Sequence, residues 1–224
     1  MAREDAERRV AEVFEAESRD DLIRAYAGWA ARYDEDILSL DIRGPEIVAA
    51  MVARHLRDRT SPILDAGAGT GRVGELLAIL DYDHLVALDL SDAMLAVAHE
   101  RDVYRELKQG ALGDPLEFAD GTFAAVVAAG VFTAGHARPG SFDELLRVTR
   151  PGGLLIFTLA TSAYEWGGFK DKLDALEANG QWQLIEATAP FLGMRASTSH
   201  RGHTARVLVF EVADSRKSAF VRNS

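Results

Sequence analysis

The chain has 224 residues and a mass of 24.4 kDa, the size of one large domain. Hydrophobic residues make up 48% and charged residues 27%, enough apolar material for a core that needs no covalent staples. The absence of cysteine excludes disulfides, thiolate metal sites and cysteine nucleophiles, and Lys+Arg 25 against Asp+Glu 35 gives a net charge of −10 that opposes general nucleic-acid binding.

The charged segment over residues 1–24 carries Val10, Val13 and Phe14 at helical spacing, which predicts an amphipathic helix. Ser18 with Asp21 is a capping-box pattern that starts a helix near Arg19, carrying Leu22, Tyr26, Trp29 and Tyr33. Gly44-Pro45 opens another, because proline is favoured at the first helical position. Its apolar face is Ile47, Val48, Met51 and Val52. Pro62 to Asp65 is a short apolar strand running into Gly67-Ala68-Gly69-Thr70-Gly71, and a helix with Val73, Leu76, Leu77 and Leu80 follows. A strand from Leu85 to Leu88 ends at Asp89, and the next helix starts at Ser91. Val103 to Leu107 is a weaker strand, and Phe123 to Ala129 is a strand of small apolar residues. Ser141 to Val148 reads as a helix capped by Ser141 and Glu144. Pro151-Gly152-Gly153 reads as a turn before the apolar strand Leu154 to Leu159. A helix over Phe169 to Ala178 ends at Asn179-Gly180, and strands near Trp182–Ala187 and Arg206–Val212 close the pattern.

Strands alternating with helices predict an α/β fold, a mostly parallel sheet with helices on both faces. The last two strands lack a helix-sized gap, which suits an antiparallel pair at one side. The longest uncharged stretch, Gly121 to Ala137, falls short of the ~20 apolar residues of a membrane span. The N-terminus has no apolar signal-peptide region, so a cytoplasmic chain with no membrane partner is expected.

The glycine loop is the sharpest feature. Glycines permit a tight turn and a close ligand approach, and the following helix offers free N–H groups. Two registers compete. Gly69, Gly71 and Gly74 satisfy the dinucleotide pattern, whereas Gly67, Gly69 and Gly71 give the tighter pattern of nucleoside-type methyl donors. Asp65 at the strand end would oppose a pyrophosphate and suits a ligand with an ammonium and a sulfonium. Asp89 can accept hydrogen bonds from ribose hydroxyls in either register.

With these residues in place, the sequence resembles the class I S-adenosylmethionine-dependent methyltransferases. Ile63 to Gly71 resembles that family's first motif, Leu88 to Leu95 its second, and Arg150-Pro151-Gly152-Gly153 the turn before its fifth strand. Trp29 to Asp34 resembles the segment that small-molecule members carry over the cofactor. Gly130 to His136 and Val103 to Leu107 resemble a narrower subgroup, the Williams–Beuren-region methyltransferase-like proteins. The resemblance implies a Rossmann-like sheet with a reversed last strand, a helical cover over residues 1–57, a donor-binding core over 58–214 and a tail over 215–224. It implies S-adenosylmethionine contacts from Tyr33, Asp65, Gly67, Ala68, Gly69, Gly71, Asp89, Leu90 and Met94, and from Gly110, Ala111, Leu112 and Gly130. Many relatives place an Asp where this chain has Ala111, to hold the adenine amino group.

Methyl transfer from a sulfonium is an in-line displacement in which positioning supplies much of the rate. A hydroxyl or acidic-carbon acceptor gains from a general base, and His136, behind the expected donor contact at Gly130, is the candidate. Tyr26, Trp29 and Tyr33 share one helix face, as packing, as a lid, or as both. Phe132, Tyr164 and Trp166, on loops after strands, are candidates for an aromatic acceptor pocket or for ordinary packing. His200 and His203 lack a third ligand, so no metal is expected, and they read as a solvated loop. Arg195, Arg201 and Arg206 read as scattered surface charge. The strand ending Ala129-Gly130-Val131-Phe132 lacks the N-P-P-Y-type motif of many amino-group methylators. The expected activity is methyl transfer to a small-molecule acceptor by a monomer or homodimer. The competing readings are a non-catalytic donor-binding regulatory module and an NAD-type oxidoreductase.

Overall fold

The computed structural model describes residues 2–133 and 135–214, and the tail expected over 215–224 lies outside the described residues. The central strands are β1 (Ile63–Ala66), β2 (Leu85–Asp89), β3 (Glu106–Gln109), β4 (Phe123–Phe132) and β5 (Thr149–Ala160). The last three are β6 (Trp182–Ala187), β7 (Phe191–Leu192) and β8 (Thr204–Val212). They form one sheet in the order β3-β2-β1-β4-β5-β8-β6, with β7 paired to β8. β1 to β5 pair in parallel, and β8 runs antiparallel to β5 and β6. The expected Rossmann-like sheet with its reversed last strand is therefore present.

Side chains alternate across a strand, so β4 and β5 feed two cores. Val126, Ala128, Leu155 and Phe157 pack with residues of α7 (Ser141–Val148) and α9 (Phe169–Ala178). Ala125, Val127, Leu154 and Ile156 pack with residues of α4 (Gly44–His55) and α5 (Arg72–Ile79). α6 (Asp92–His99) lies beside β2 and β3, its N-cap Ser91 accepting from the Met94 amide.

Several boundaries differ from the sequence reading. The strand expected at Val103–Leu107 begins at Glu106, because Tyr104 turns inward beneath the glycine loop. The Pro151-Gly152-Gly153 turn lies within β5. Thr149 already pairs with Phe123, and the register then slips to Ala125↔Leu154, so the segment is a bulge with Gly152 at φ 72°. The Ser141/Glu144 cap does not form. Gly140 caps α7, while Glu144 accepts from the Leu116 amide at 2.8 Å and pairs with Arg147 at 2.8 Å. Tyr164 and Trp166 sit on a short helix, α8 (Thr161–Trp166), not on a loop.

The cover expected over residues 1–57 is shorter: it consists of α1 (Ala2–Phe14), α2 (Arg19–Trp29), a 3-10 turn at Ala30–Arg32 and α3 (Tyr33–Ser39), while α4 packs on the sheet because Val48, Ala49 and Val52 face its core. The helix expected to run through Tyr33 thus breaks after Trp29. Val10, Val13, Trp29 and Leu40 form the cover's own small core. Buried Asp36 accepts from Trp29 Nε1 and Arg9 Nη1, both at 2.7 Å, and so joins all three helices. Buried Glu7 on α1 clamps the 197–199 loop, accepting from Ser199 Oγ at 2.6 Å, the Thr198 amide at 2.5 Å and Ser197 Oγ at 2.9 Å. These bonds, the Ser199 hydroxyl foremost, hold the Glu7 carboxyl down at about 2, against an ordinary 4.5. Its stabilisation is therefore present above 4.5 and is lost as pH falls through about 2. The Glu7→Gln variant should melt lower than the parent at neutral pH and converge on it below pH 4.5. Thermal melts across that range test this, and a constant offset down to the lowest pH would refute it.

Candidate functional site

Gly67, Gly69 and Gly71 all have left-handed φ values, 78°, 56° and 85°. A Cβ on Gly67 would lie 2.4 Å from Val131 Cγ2, whereas nothing lies within 4 Å of one on Gly69 or Gly130. The latter two faces look into open space. A Cβ on Gly74 would lie 2.3 Å from the Tyr104 phenol, and the Tyr104 hydroxyl accepts from the Gly74 amide at 3.2 Å. Gly74 is small to admit Tyr104, which removes the structural reason for the dinucleotide register.

Two carboxylates end the first two strands. Asp89 Oδ2 accepts from the Gly69 amide and Oδ1 from the Ser91 amide, each at 2.8 Å. Asp65 is buried under the loop. Its Oδ2 accepts from the Tyr104 hydroxyl at 2.6 Å, and its Oδ1 has no hydrogen-bond partner among the described residues. Burial pushes the Asp65 carboxyl up to about 7, partly opposed by the Tyr104 bond.

A cleft of about 1050 Å³ opens beyond these strand ends. Its wall brings together Tyr26, Tyr33, Gly67, Gly69, Asp89, Leu90, Met94, Gly110, Ala111, Leu112, Gly130 and His136. Asp65, Ala68 and Gly71 are not on that wall: Ala68 packs on Ala87 and Leu95, and Gly71 backs onto Tyr104 and Arg101. Trp166 lines the rim and is 85% exposed. Sequence reasoning missed Arg19, whose guanidinium makes a two-pronged bond to Asp114 (2.7 and 2.9 Å) where both residues line the cleft. The cap at Ser18 was the available signal.

A second cavity of about 320 Å³ adjoins the first. Tyr26, Tyr33, Ala129, Gly130, Thr133 and His136 line both. Within the shared wall the Tyr26 hydroxyl and His136 Nε2 are 2.7 Å apart. Withdrawal from water pushes the Tyr26 and Tyr33 phenols well above the ordinary tyrosine range, so both stay protonated. Trp29 lines the second cavity with Val10, Val13, Phe14, Ile37 and Met194. Phe132 also touches it, but is 1% exposed and rings Phe142 at 4.6 Å and Phe157 at 5.1 Å, so it is a core residue first. Tyr164 lines neither cavity and packs on the α7–α9 core. His203, expected on a solvated loop, faces Phe14 at 6.2 Å and lines the second cavity, where burial lowers its pKa. Asp34 docks the cover onto the loop, accepting from Thr70 Oγ1 at 2.6 Å and pairing with Arg101.

A doubly wound sheet whose glycine loop and second strand-end carboxylate, Asp89, face a cleft, with a further carboxylate, Asp65, buried under the loop, defines a nucleoside-cofactor-binding α/β protein. Residues 64–157 match the family model described as a methyltransferase domain. Human methyltransferase-like protein 27 is 32% identical over 168 residues, 72% of this chain and 68% of that one. Among solved structures, a chain of the complex between the Haloferax volcanii Trm112 methyltransferase activator and a methyltransferase superposes with a TM-score of 0.65. Its identity is 15%, over 84% of this chain and 98% of that one. A TehB-like S-adenosylmethionine-dependent methyltransferase from Corynebacterium glutamicum gives 0.59 at 22% identity, over 84% and 99%. These two likenesses show the fold. The chain belongs to the class I S-adenosylmethionine-dependent methyltransferases.

S-adenosylmethionine is accordingly its methyl donor, and the cleft suits it. Open glycine faces admit a ligand against the main chain, and buried Asp65 has a carboxylate oxygen left without a partner beneath them. Such a carboxylate costs stability when ionised. Its folded value near 7 exceeds the unfolded 3.8, so the stability it leaves below 3.8 is lost as pH rises to about 7. The ligand-free Asp65→Asn variant should therefore gain in melting temperature relative to the parent as pH rises across that interval. Equal offsets at both ends would show that Asp65 is not the titrating group.

Proposed function

We propose that this methyltransferase acts on a small molecule held in the second cavity. The shared wall carries this reading: one set of residues faces the donor cleft on one side and a mostly apolar cavity on the other. A donor-binding regulatory module needs no second cavity, so the enzymatic reading is the better supported.

When bound, S-adenosylmethionine supplies an electrophilic methyl group on a sulfonium. Gly67, Gly69, Asp89, Leu90 and Met94, with Gly110 to Leu112, hold the donor in the cleft, and Tyr33 and Gly130 lie between it and the acceptor. Asp65 acts on the donor's positive charge through space, since its carboxylate lies off the wall. Donor affinity should therefore rise as pH climbs through about 7, and the rise should vanish in Asp65→Asn. Titrating S-adenosylhomocysteine, which lacks the sulfonium, should give a flatter profile in the parent.

His136 takes the acceptor proton, with the Tyr26 hydroxyl fixing the ring through Nε2. The His136→Gln variant should lose about 10²–10⁴ in kcat, the usual share of general acid–base catalysis, at unchanged donor affinity. Tyr26→Phe should show a smaller loss and a shifted pH–rate profile. A parent-like kcat in His136→Gln would remove the base from the mechanism. The closed cover, tied by Asp34 and Asp36, keeps water from the reacting groups.

A further inference from the structure

The second cavity holds an imidazole that takes no part in the proton transfer at His136. Three histidine rings surround Phe14: His136 at 5.9 Å, His200 at 5.6 Å and His203 at 6.2 Å. His136 is bonded to the Tyr26 hydroxyl. His200 Nδ1 lies 3.5 Å from Ser197 Oγ, and His200 does not line the cavity. His203 does line it, and among the described residues its ring makes no hydrogen bond. Among those residues the buried side-chain polar atoms without a partner are Glu46 Oε2, Asp65 Oδ1 and Ser141 Oγ. The unbonded nitrogens of His203 are not of that kind and keep accessible surface.

The chain makes room for this ring. Gly193 lies across from it, its amide donating to the His203 carbonyl at 2.9 Å. A Cβ on Gly193 would lie 2.7 Å from His203 Cδ2, so a side chain there would displace the imidazole. Withdrawal from water lowers the His203 pKa from the ordinary 6.5, and nearby His200 lowers it further. The ring is therefore neutral at pH 7 and offers one donor and one acceptor. The charged lining, by contrast, is committed. Arg101 pairs with Asp34 and with Glu75 at 2.9 Å, and Arg72 with Glu75 at 2.7 Å and Glu46 at 3.1 Å. These charges satisfy one another and favour an uncharged occupant. Phe14 and Trp29 in the wall suit a flat ring.

We propose that His203 is a specificity-determining residue: it bonds a second oxygen on an uncharged aromatic acceptor whose reacting hydroxyl lies at His136. The proposal rests on the reading above, in which the acceptor occupies this cavity. His136 and His203 flank the same Phe14 ring, which puts them no more than about 12 Å apart, centre to centre. One ring with an oxygen at each end reaches both through hydrogen bonds. A volume of about 320 Å³ holds on the order of ten water-sized groups, the size of one such ring with a short substituent.

Three phenols of similar size test this on the full chain: 4-hydroxyacetophenone, 4-hydroxybenzyl alcohol and 4-ethylphenol, of which only the last lacks a second oxygen. In calorimetry with saturating S-adenosylhomocysteine, the first two should bind about fivefold to tenfold more tightly than the third, the worth of one neutral hydrogen bond. In His203→Phe, which keeps a ring against Phe14, that advantage should vanish while S-adenosylhomocysteine binds as in the parent. In His203→Gln, which keeps a donor and an acceptor, part of it should remain. In the parent, the His203 ring-nitrogen resonances should move on adding 4-hydroxyacetophenone and stay in place with 4-ethylphenol. A ring with a purely structural role would not respond in this way, and the measurement does not depend on His203→Phe folding. Equal binding of the three phenols, a preference that survives in His203→Phe, or unmoved His203 resonances would overturn the proposal and leave the cavity reading standing. Binding of none of them to the donor-saturated protein would overturn both.

Discussion

The site depends on the one place where the winding of the sheet reverses. β1 and β4 are parallel neighbours, but their onward segments lean in opposite directions. The loop after β1 is tied to β2, because the Leu88 carbonyl accepts from the amides of Gly67 at 2.7 Å and Ala68 at 3.0 Å. Asp89 adds its bond from the Gly69 amide on the same side. The end of β4 is tied to β5, where Thr158 Oγ1 accepts from the Gly130 amide at 2.7 Å. Main-chain polar groups that would otherwise need a partner are thus satisfied by pulling apart. What remains between them is the cleft, with Gly69 and Gly130 facing it bare.

That geometry explains what was readable in the sequence. Strand, glycine loop and helix are contiguous, and the carboxylate at the next strand end is local to its own strand, so periodicity and turn chemistry placed them. The same holds for the Ser18 cap and the Gly44-Pro45 start. The second cavity was not readable, because its wall joins Phe14, Trp29, Met194 and His203 from distant parts of the chain. Only the cover's docking brings them together. Glu144 shows how a local signal fails: the capping pattern was present, but Arg147 and the Leu116 amide compete for the same carboxylate and win. Tyr104 shows the converse, a weak strand residue whose place is set by a tertiary partner, Asp65.

The cover is more than a packing layer. Three carboxylates hold it in place: Glu7 grips the 197–199 loop, Asp34 grips Thr70 and Arg101, and Asp36 joins the cover's own helices through Arg9 and Trp29. Charge-assisted bonds of this kind fix register more strictly than apolar contact, which tolerates sliding. The register matters because Tyr26 and Tyr33 must form the wall between the two cavities. Asp34 follows Tyr33 directly and grips Thr70 of the glycine loop. The glycine loop and the wall between the two cavities are therefore positioned by one junction of Asp34, Thr70 and Arg101.

Asp65 brings these threads to one residue. A carboxylate buried beneath a backbone loop, with a second carboxylate at Asp89 raising its pKa further, is a poor choice for a protein selected only to be stable. An asparagine would fill the same space and keep an acceptor for Tyr104. The charge makes sense if the cleft is to hold a cation, since what disfavours ionised Asp65 in the free protein favours it beside a sulfonium. The same charge would repel a pyrophosphate, which is why the proposed role of Asp65 separates the two nucleoside cofactors. On that reading selectivity would come from the field under the loop, with the open faces of the glycines letting the ligand come close enough to feel it.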